Sequence, residues 1–269
     1  MRQHRLHGML LIVVLALLYG SAPTATPAGQ DPEWVPMFNG RDLTGWDTFL
    51  SYQPDTGSEE ILGVNKDPEG VITVVDGAIR ISGKIWGALT SHRELENYHL
   101  RLEFKWGEKK WPPRDESKRD SGLLYHAVGP HGAQSDHWMR SFEAQIQEGD
   151  CGDFHSLDGV TIDIEGEIEE HDGRPRLQYK PRAPIRRGVK KRVVKHGDNE
   201  MPSGQWNTLE IIARGDKVEH IVNSQVVLRA THLRQVVDGK TVPLTKGKIQ
   251  LQSEGAEVFY RNIEFKSLD

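Results

Sequence analysis

Alternating apolar and polar residues along the chain predict a protein built from short β-strands. In His99–Trp106 every second residue is apolar, and the residues between them are charged or polar. Because successive side chains of a strand point to opposite faces, one face of this segment packs on a core while the other meets solvent. The pairs Asp76-Gly77 and Asn223-Ser224 each separate two apolar runs, as in tight hairpin turns. The pattern predicts strands at residues 71–75, 78–82, 86–91, 99–106, 120–126, 141–147, 160–167, 206–214, 217–223, 225–230, 248–252 and 257–265.

So many short strands with turn residues between them indicate an all-β fold. No segment shows a sustained helical period, and no internal repeat is present. Without its leader the chain has about 240 residues, which suits two stacked antiparallel sheets of the jelly-roll type. We therefore predict a single β-sandwich domain over residues 29–269.

Residues 1–28 have the layout of a secretory signal peptide. Basic residues near the start precede an apolar run, Met9–Tyr19, and then small residues and prolines follow up to Gly29. The apolar run is about 11 residues long, which is short of the roughly 20 that a membrane-spanning helix needs. We therefore predict an exported protein, periplasmic or extracellular, with no stable membrane span after the leader is removed.

Charge and cysteine content argue against two further features. The formal net charge is −5 with both signs mixed, which argues against a nucleic-acid-binding surface. Cys151 is the only cysteine, so no intramolecular disulfide can form. We interpret the charged stretches 107–119 and 168–204 as solvated excursions. The second becomes basic over Arg182–Lys195, so an anionic partner is an alternative there.

The most informative stretch for chemistry is Ser141–His155. In its first half one predicted face is apolar, whereas the other face presents a carboxylate and two amides in a row. A glycine-punctuated loop with acids and a histidine follows. This combination is typical of a polar groove for a hydroxyl-rich ligand or a metal, and the alternative is a solvated strand face with an acidic loop. The candidate binding residues from this stretch are Glu143, Gln145, Gln147, Glu148, Asp153 and His155.

One enzymatic alternative is a conventional retaining glycosidase. The spacing Glu143-x-Gln145-x-x-Glu148 resembles the E-x-D-x-x-E motif of laminarinase-like glycosidases, which are curved sandwiches. Such an enzyme needs two carboxyl groups about 5 Å apart. Glu148 joins the face of Glu143 only if a bulge shifts the register. The middle acid of the motif is here Gln145, which cannot ionise.

A metal site is a second alternative. His126 is predicted on a neighbouring strand, and together with Glu143 and His155 it offers two imidazoles and a carboxylate; Gln145 adds an amide oxygen. Such donors can hold a divalent ion with open coordination positions. The ion would polarise a carbonyl as a Lewis acid. A divalent metal is thus a candidate cofactor, and we expect no organic cofactor.

Several segments resemble the family of 3-keto-disaccharide hydrolases (DUF1080), also described as 3-keto-α-glucoside-1,2-lyases/3-keto-2-hydroxy-glucal hydratases. Met37–Trp46 resembles the opening signature of that family. The other matching segments are Ser121–Tyr125, Phe142–Ile146, Gly204–Thr208, Val222–Ser224, Leu251–Gly255 and Tyr260–Ile263. Together they span nearly the whole mature chain in order. One departure is Ser224, where the family usually has a glycine in a tight turn.

The resemblance implies a concanavalin A/laminarinase-like jelly roll and a carbohydrate-active enzyme. The implied substrate is a glycoside whose C3 is a ketone; an upstream sugar oxidoreductase would supply it. Removal of the C2 proton, β-elimination of the C1 substituent and hydration of the product complete the reaction. A non-catalytic carbohydrate-binding β-sandwich remains the alternative.

We place the roles on this sequence by strand face and chemistry. Glu143 and His126 are the candidate base and acid, in undetermined order. Gln145, His155 or a metal ion would stabilise the oxyanion. The C-terminal hairpin would line the same groove with Gln252, Glu254 and Arg261.

Overall fold

Twenty β-strands make up the regular structure, and the described residues contain no helix. The structure is a computed structural model that describes residues 33–54, 56–57 and 59–268. The strands are β1 (Val35–Pro36), β2 (Trp46–Leu50), β3 (Gly63–Val64), β4 (Ile72–Val75), β5 (Ala78–Ile81), β6 (Gly87–Glu96), β7 (Tyr98–Lys110), β8 (Asp120–Val128), β9 (Arg140–Gln147), β10 (Phe154–Leu157), β11 (Thr161–His171), β12 (Arg174–Tyr179), β13 (Ile185–Val189), β14 (Val193–Val194), β15 (Asn207–Arg214), β16 (Lys217–Val222), β17 (Gln225–Val237), β18 (Lys240–Pro243), β19 (Lys246–Ser253) and β20 (Ala256–Ser267).

The strands form two sheets. The front sheet has the order β3-β2-β6-β19-β8-β9-β10-β14-β12-β11, and all its pairs are antiparallel except β12–β14. The back sheet has the antiparallel order β4-β5-β20-β7-β15-β16-β17, with β1 beside β20 and β18 beside β17. β11 also pairs with β13 and with β17, so it joins the two sheets along one side.

The core lies between the two sheets, where the alternation places the apolar residues. Leu100, Leu102 and Phe104 of β7 are buried, and so are Phe142 and Ala144 of β9; all belong to one apolar cluster. The polar residues that alternate with them point away from the core. On β9 this puts the predicted polar row on the outer face of the front sheet. The predicted sandwich of two antiparallel sheets is confirmed.

The predicted hairpin turns also form. Asp76 and Gly77 both have positive φ, at 50° and 76°, as the turn between β4 and β5 requires. Asn223 and Ser224 do the same between β16 and β17, at 47° and 67°. Cys151 is fully buried in the core cluster.

The predicted solvated excursions need correction. The stretch 107–119 begins with the end of β7, and its Arg114 folds back onto the front sheet. The stretch 168–204 contains β12, β13 and β14 instead of an irregular loop.

The contacts of residues 32–269 group them into one compact unit. The predicted signal peptide, residues 1–28, lies outside the described residues. Within the part of the chain that the structure describes, no helix is long and apolar enough to cross a membrane.

Candidate functional site

A pocket of about 320 Å³ opens on the outer face of the front sheet. Six of the predicted site residues line it: Glu143, Gln145, Gln147, His155, Gln252 and Glu254. A larger depression of about 580 Å³ lies on the back sheet. Its buried carboxylate, Glu257, is already ion-paired with Arg80. The front-sheet pocket is the one that gathers the predicted polar residues.

Strand register brings the central residues of the pocket together. On β9, Glu143 lies opposite Leu124 of β8 on one side and opposite His155 of β10 on the other. Residues paired in this way point to the same face, with their Cβ atoms about 5 Å apart. Gln145 lies opposite Gly122 on β8. Glu143 and His155 are thus side-by-side neighbours on the pocket face.

Gly122 makes room for two side chains that cross above it. A Cβ at this position would lie less than 3.0 Å from an Oε1 atom of both Glu143 and Gln252, which real Cβ atoms essentially never do. The Glu143 carboxyl and the Gln252 amide therefore meet over the bare backbone of β8. Gln252 Oε1 is buried and has no hydrogen-bond partner. A protonated Glu143 can donate a hydrogen bond to this acceptor.

Burial controls the charge of the pocket carboxyls. It raises the pKa of Glu143 well above its usual value, and the negative charge of Asp120 raises it further. Burial and Asp120 likewise raise the pKa of Glu254. The pKa of Asp120 itself is raised by burial to about 6, against the opposing effect of Arg114, with which it forms an ion pair. Burial therefore favours the protonated form of Glu143.

The pKa of His155 is shifted in the opposite direction, below its usual value. Burial, aided by the positive charge of Arg192, lowers its pKa to about 4. The imidazole is therefore neutral at pH 7, and its buried Nε2 atom has no hydrogen-bond partner among the described residues. A neutral imidazole thus lies next to a carboxyl whose protonated form is favoured by burial. Adjacent groups whose pKa values are shifted in opposite directions are candidates for an acid–base pair.

One wall of the pocket is aromatic. Trp138 is 8% exposed, and its Nε1 donates to the carbonyl of Gly87 at 2.9 Å. It lies against Trp86, with ring centroids 6.0 Å apart and planes 23° from parallel. Leu124 and Leu157 complete this apolar cluster on the pocket side of the sheet. An apolar ring face beside carboxyl and amide groups suits a sugar, which has both kinds of surface.

Comparison with known proteins identifies the family. Residues 33–266 match the family model of the 3-keto-alpha-glucoside-1,2-lyase-like domain. The chain belongs to this family. The predicted resemblance is therefore confirmed, and the pocket described above is the pocket of a 3-keto-alpha-glucoside-1,2-lyase-like domain.

Solved structures place the lyase-like domain among sandwich proteins. A candidate glycosyl hydrolase from Parabacteroides distasonis ATCC 8503 is 20% identical, with a TM-score of 0.50 over 88% of this chain and 94% of that chain. A second one from the same organism is 19% identical, with a TM-score of 0.50 over 88% of this chain and 100% of that chain. This similarity supports the predicted jelly-roll fold. No curated protein sequence matches the chain.

His126 does not face the pocket of the lyase-like domain, and the prediction that it does is wrong. The register shifts between Tyr125 and Val128, and His126 has a φ of 51°. This bulge turns the imidazole into the core, where it contacts Tyr98 and Phe142. Its ring Nδ1 lies 3.1 Å from the carbonyl oxygen of Leu244.

The predicted metal ligand set therefore does not assemble, because His126 lies in the core and only Glu143 and His155 reach the pocket. Among the described residues, three metal-ligating side chains converge within 4.8 Å at Asp150, His171 and Asp172. Asp150 is already ion-paired with Arg192 and Lys118.

Three other predicted residues lie elsewhere. Glu148 forms an ion pair with Arg119 at 2.7 Å and does not line the pocket, so the carboxylate pair of a retaining glycosidase is not brought together. Asp153 is buried beneath Arg192, whose Nε donates to it at 2.6 Å. Arg261 lies on the back sheet, where it is paired with Glu103.

Seven lining residues escaped the sequence analysis: Arg114, Asp120, Gln134, Trp138, Ser156, Leu157 and Arg192. Arg114 and Asp120 flank one end of the pocket, and Arg114 also reaches Glu254 at 3.4 Å. Trp138 and Arg192 line other parts of it. Arg114 and Arg192 belong to the charged stretches interpreted as solvated. The composition of these stretches gives no sign that the two arginines line the pocket. Asp120 begins the predicted strand 120–126, but nothing in the pattern of that strand distinguishes it as a pocket residue.

Proposed function

We propose that this carbohydrate-active, glycosyl hydrolase-like domain cleaves 3-keto-glycosides by elimination and hydration. The proposal rests chiefly on one observation. The imidazole of His155, whose pKa is lowered, and the carboxyl of Glu143, whose pKa is raised, lie side by side over one pocket in a chain of the 3-keto-alpha-glucoside-1,2-lyase-like family.

A ketone at C3 of a sugar acidifies the hydrogen on C2. In the proposed reaction His155 accepts the C2 proton, and the electron pair of that bond forms the enediolate. When the C3 carbonyl reforms, the pair moves into the C1–C2 bond and the bond from C1 to the leaving oxygen breaks. Glu143 gives its proton to that oxygen. Water then adds to C1 and a proton returns to C2, so the overall change is hydrolysis without redox.

Gln145 is the proposed stabiliser of the enediolate. Its Oε1 accepts the backbone N–H of Ile146 at 3.0 Å, which leaves the amide N–H groups to face the pocket that the side chain lines. Gln147 is less available, because it donates to Asp120. A fixed donor at the site of developing charge lowers the barrier without reorganisation at the moment of reaction.

Three related expectations remain predictions. A divalent metal as cofactor is one of them. Export to the periplasm or cell exterior is the second. The third is an upstream oxidoreductase, because a sugar C3 hydroxyl must be oxidised to a ketone before this chemistry can begin.

Turnover of matched substrates tests the proposal. The purified protein is incubated with a glucoside and with its 3-keto derivative, and product release is followed. We expect cleavage of the keto form only, with a loss of about 10²-fold or more in Glu143→Gln and in His155→Gln. Glu96→Gln, at an exposed glutamate of β6, is the matched control and should retain activity.

The opposing results are distinct. Cleavage of the plain glucoside would favour a conventional glycosidase. Binding of sugars without turnover of either compound would favour the non-catalytic carbohydrate-binding alternative. Full activity of Glu143→Gln would remove that residue from the mechanism.

A further inference from the structure

We propose that the pocket continues across β14 and β12 as a cationic subsite for a negatively charged group on the sugar that leaves. This inference rests on the proposed function, since it names the class of glycoside that the site accepts. The charged group is an oxyanion substituent, either the carboxylate of a uronic acid or a sulfate ester.

The pairing of β10 with β14, and of β14 with β12, extends the row of pocket residues beyond His155. Phe154 of β10 lies opposite Val193 of β14, and Val193 lies opposite Leu177 of β12; all three side chains pack toward the core. The residues next to them must point the other way, to the pocket face. Arg192 and Arg176 therefore continue the row that His155 begins.

The two arginines differ in their partners. Arg192 is neutralised, because its guanidinium lies 2.6 Å from Asp153 and 3.0 Å from Asp150. Arg176 forms no ion pair with any described residue. Its cross-strand neighbour Glu169 is instead paired with Lys180. Arg176 is half-buried, so its planar fork of donors is held at the surface without a protein acceptor.

The surrounding charge favours an anion at this end. Residues 173–195 contain ten lysines and arginines and no aspartate or glutamate, although the adjacent strand β11 carries Glu167 and Glu169, which are paired with Lys180. The opposite end of the pocket carries Asp120 and Glu254. The positive charge of Arg176 also contributes to the low pKa of His155, behind burial and Arg192, so Arg176 acts within the range of the pocket. An anionic group is therefore attracted to Arg176, whereas the arginine at the other end, Arg114, is already paired with Asp120 and Glu254.

An arginine recognises a carboxylate or a sulfate with two parallel hydrogen bonds. The cleaved 3-keto-glucosyl unit would occupy the pocket above Glu143 and His155. The leaving sugar would then lie over Arg192 with its charged substituent at Arg176.

The experiment compares three 3-keto-glucosides that differ only in the leaving sugar, which is glucose, glucuronic acid or glucose 6-sulfate. We expect kcat/KM to be about tenfold higher for at least one anionic substrate than for the neutral one. Arg176→Gln should remove most of this preference, and so should high salt. Arg214→Gln, at an exposed arginine on the far end of β15, should leave the preference unchanged. The glucuronide and sulfate arms distinguish the two sources of charge.

Two results would overturn the subsite: equal kcat/KM values for all three wild-type reactions, or a preference that Arg176→Gln leaves intact. Dissociation constants of the corresponding non-keto disaccharides, measured by calorimetry, give a readout that does not need turnover. If no keto-glycoside is cleaved, the proposed function fails. The subsite is then decided by whether wild-type protein binds the anionic disaccharides more tightly than Arg176→Gln does.

Discussion

A missing side chain shapes this pocket as much as those present. Gly122 has a negative φ, so its backbone does not require glycine; the space above it does. The Glu143 carboxyl and the Gln252 amide occupy that space. The sequence motif around Gly122 signals the family, but the reason for the glycine becomes visible only when three strands are brought side by side.

Gly122→Ala should therefore damage the site more than the fold. The added methyl group must displace the ends of Glu143 and Gln252, and we expect kcat/KM on a 3-keto-glucoside to fall at least tenfold. The free energy of unfolding should fall by about 1–2 kcal/mol, which is typical of overpacking. Gly107→Ala is the matched control, because the atoms nearest to its methyl group would belong to the side chain of Glu257 on the back sheet. Equal activity losses in both variants would refute this account.

The raised pKa of Glu143 predicts how the free energy of unfolding depends on pH. Below pH 4.5, the ordinary value, both the folded and the unfolded chain hold the proton. As the pH rises above 4.5, the unfolded chain gains by ionising, so the free energy of unfolding falls until the folded pKa is passed. Glutamine cannot ionise. The stability difference between Glu143→Gln and the wild type should thus shift progressively in favour of the variant as the pH rises above 4.5.

Urea denaturation at several pH values measures this difference. Glu96→Gln, at an exposed position, should show no such trend. A difference between Glu143→Gln and the wild type that stays constant over the whole range would mean that burial does not raise the pKa of Glu143.

At the scale of strands, the hydrophobic pattern predicts the fold better than it predicts the site. Alternation locates β7, β9 and their neighbours, and the turn residues locate the hairpins. The orientation of His126 could not be read in this way, because one bulged residue with positive φ reverses the side chain. Arg192 could not be found either, since only the pairing of β14 with β10 brings it beside His155.

The hairpin between β16 and β17 offers a test of turn chemistry. Ser224 adopts a φ of 67°, a region that costs a non-glycine residue about 1 kcal/mol. Ser224→Gly should raise the free energy of unfolding by about 0.5 kcal/mol, the gain being reduced by the greater freedom of glycine in the unfolded chain. Thermal and urea unfolding measure this change.

Asn223→Gly is the informative comparison in the same turn. Asn223 also has positive φ, but its side chain accepts from the backbone of Thr208 at 2.8 Å and donates to the carbonyl of Asn199 at 2.7 Å. Its replacement should destabilise the chain. If both glycine variants move stability in the same direction, the turn argument is wrong.

At the scale of the whole molecule, two buried hydrogen bonds cross the core and tie the sheets together. Tyr125 of β8 lies 3.0 Å from His220 of β16, whose other ring nitrogen lies 2.9 Å from the carbonyl oxygen of Gly152. Ser121 of β8 lies 2.7 Å from the hydroxyl of Tyr260 on β20. Both bonds begin on the strand that carries Gly122, so they hold the pocket floor against the back sheet.

Tyr125→Phe should cost about 1–3 kcal/mol, because it leaves the buried Nε2 of His220 without a partner. Urea denaturation gives the value, and a double-mutant cycle with His220 would show the coupling between the two residues. Activity should change little, since Tyr125 faces the core. An unchanged free energy of unfolding in Tyr125→Phe would mean that this hydrogen bond does not stabilise the packing of the two sheets.

The buried position of Cys151 has a practical consequence. Burial raises the pKa of its thiol, so the sulfur is both shielded and poorly reactive, and the chain has no second cysteine with which to cross-link. The fold is therefore held together without any disulfide, and no oxidant is needed to form one. Protein made in a reducing cytoplasm should match protein secreted by a cell, and a cysteine introduced at the surface would be the single handle for a thiol-directed label.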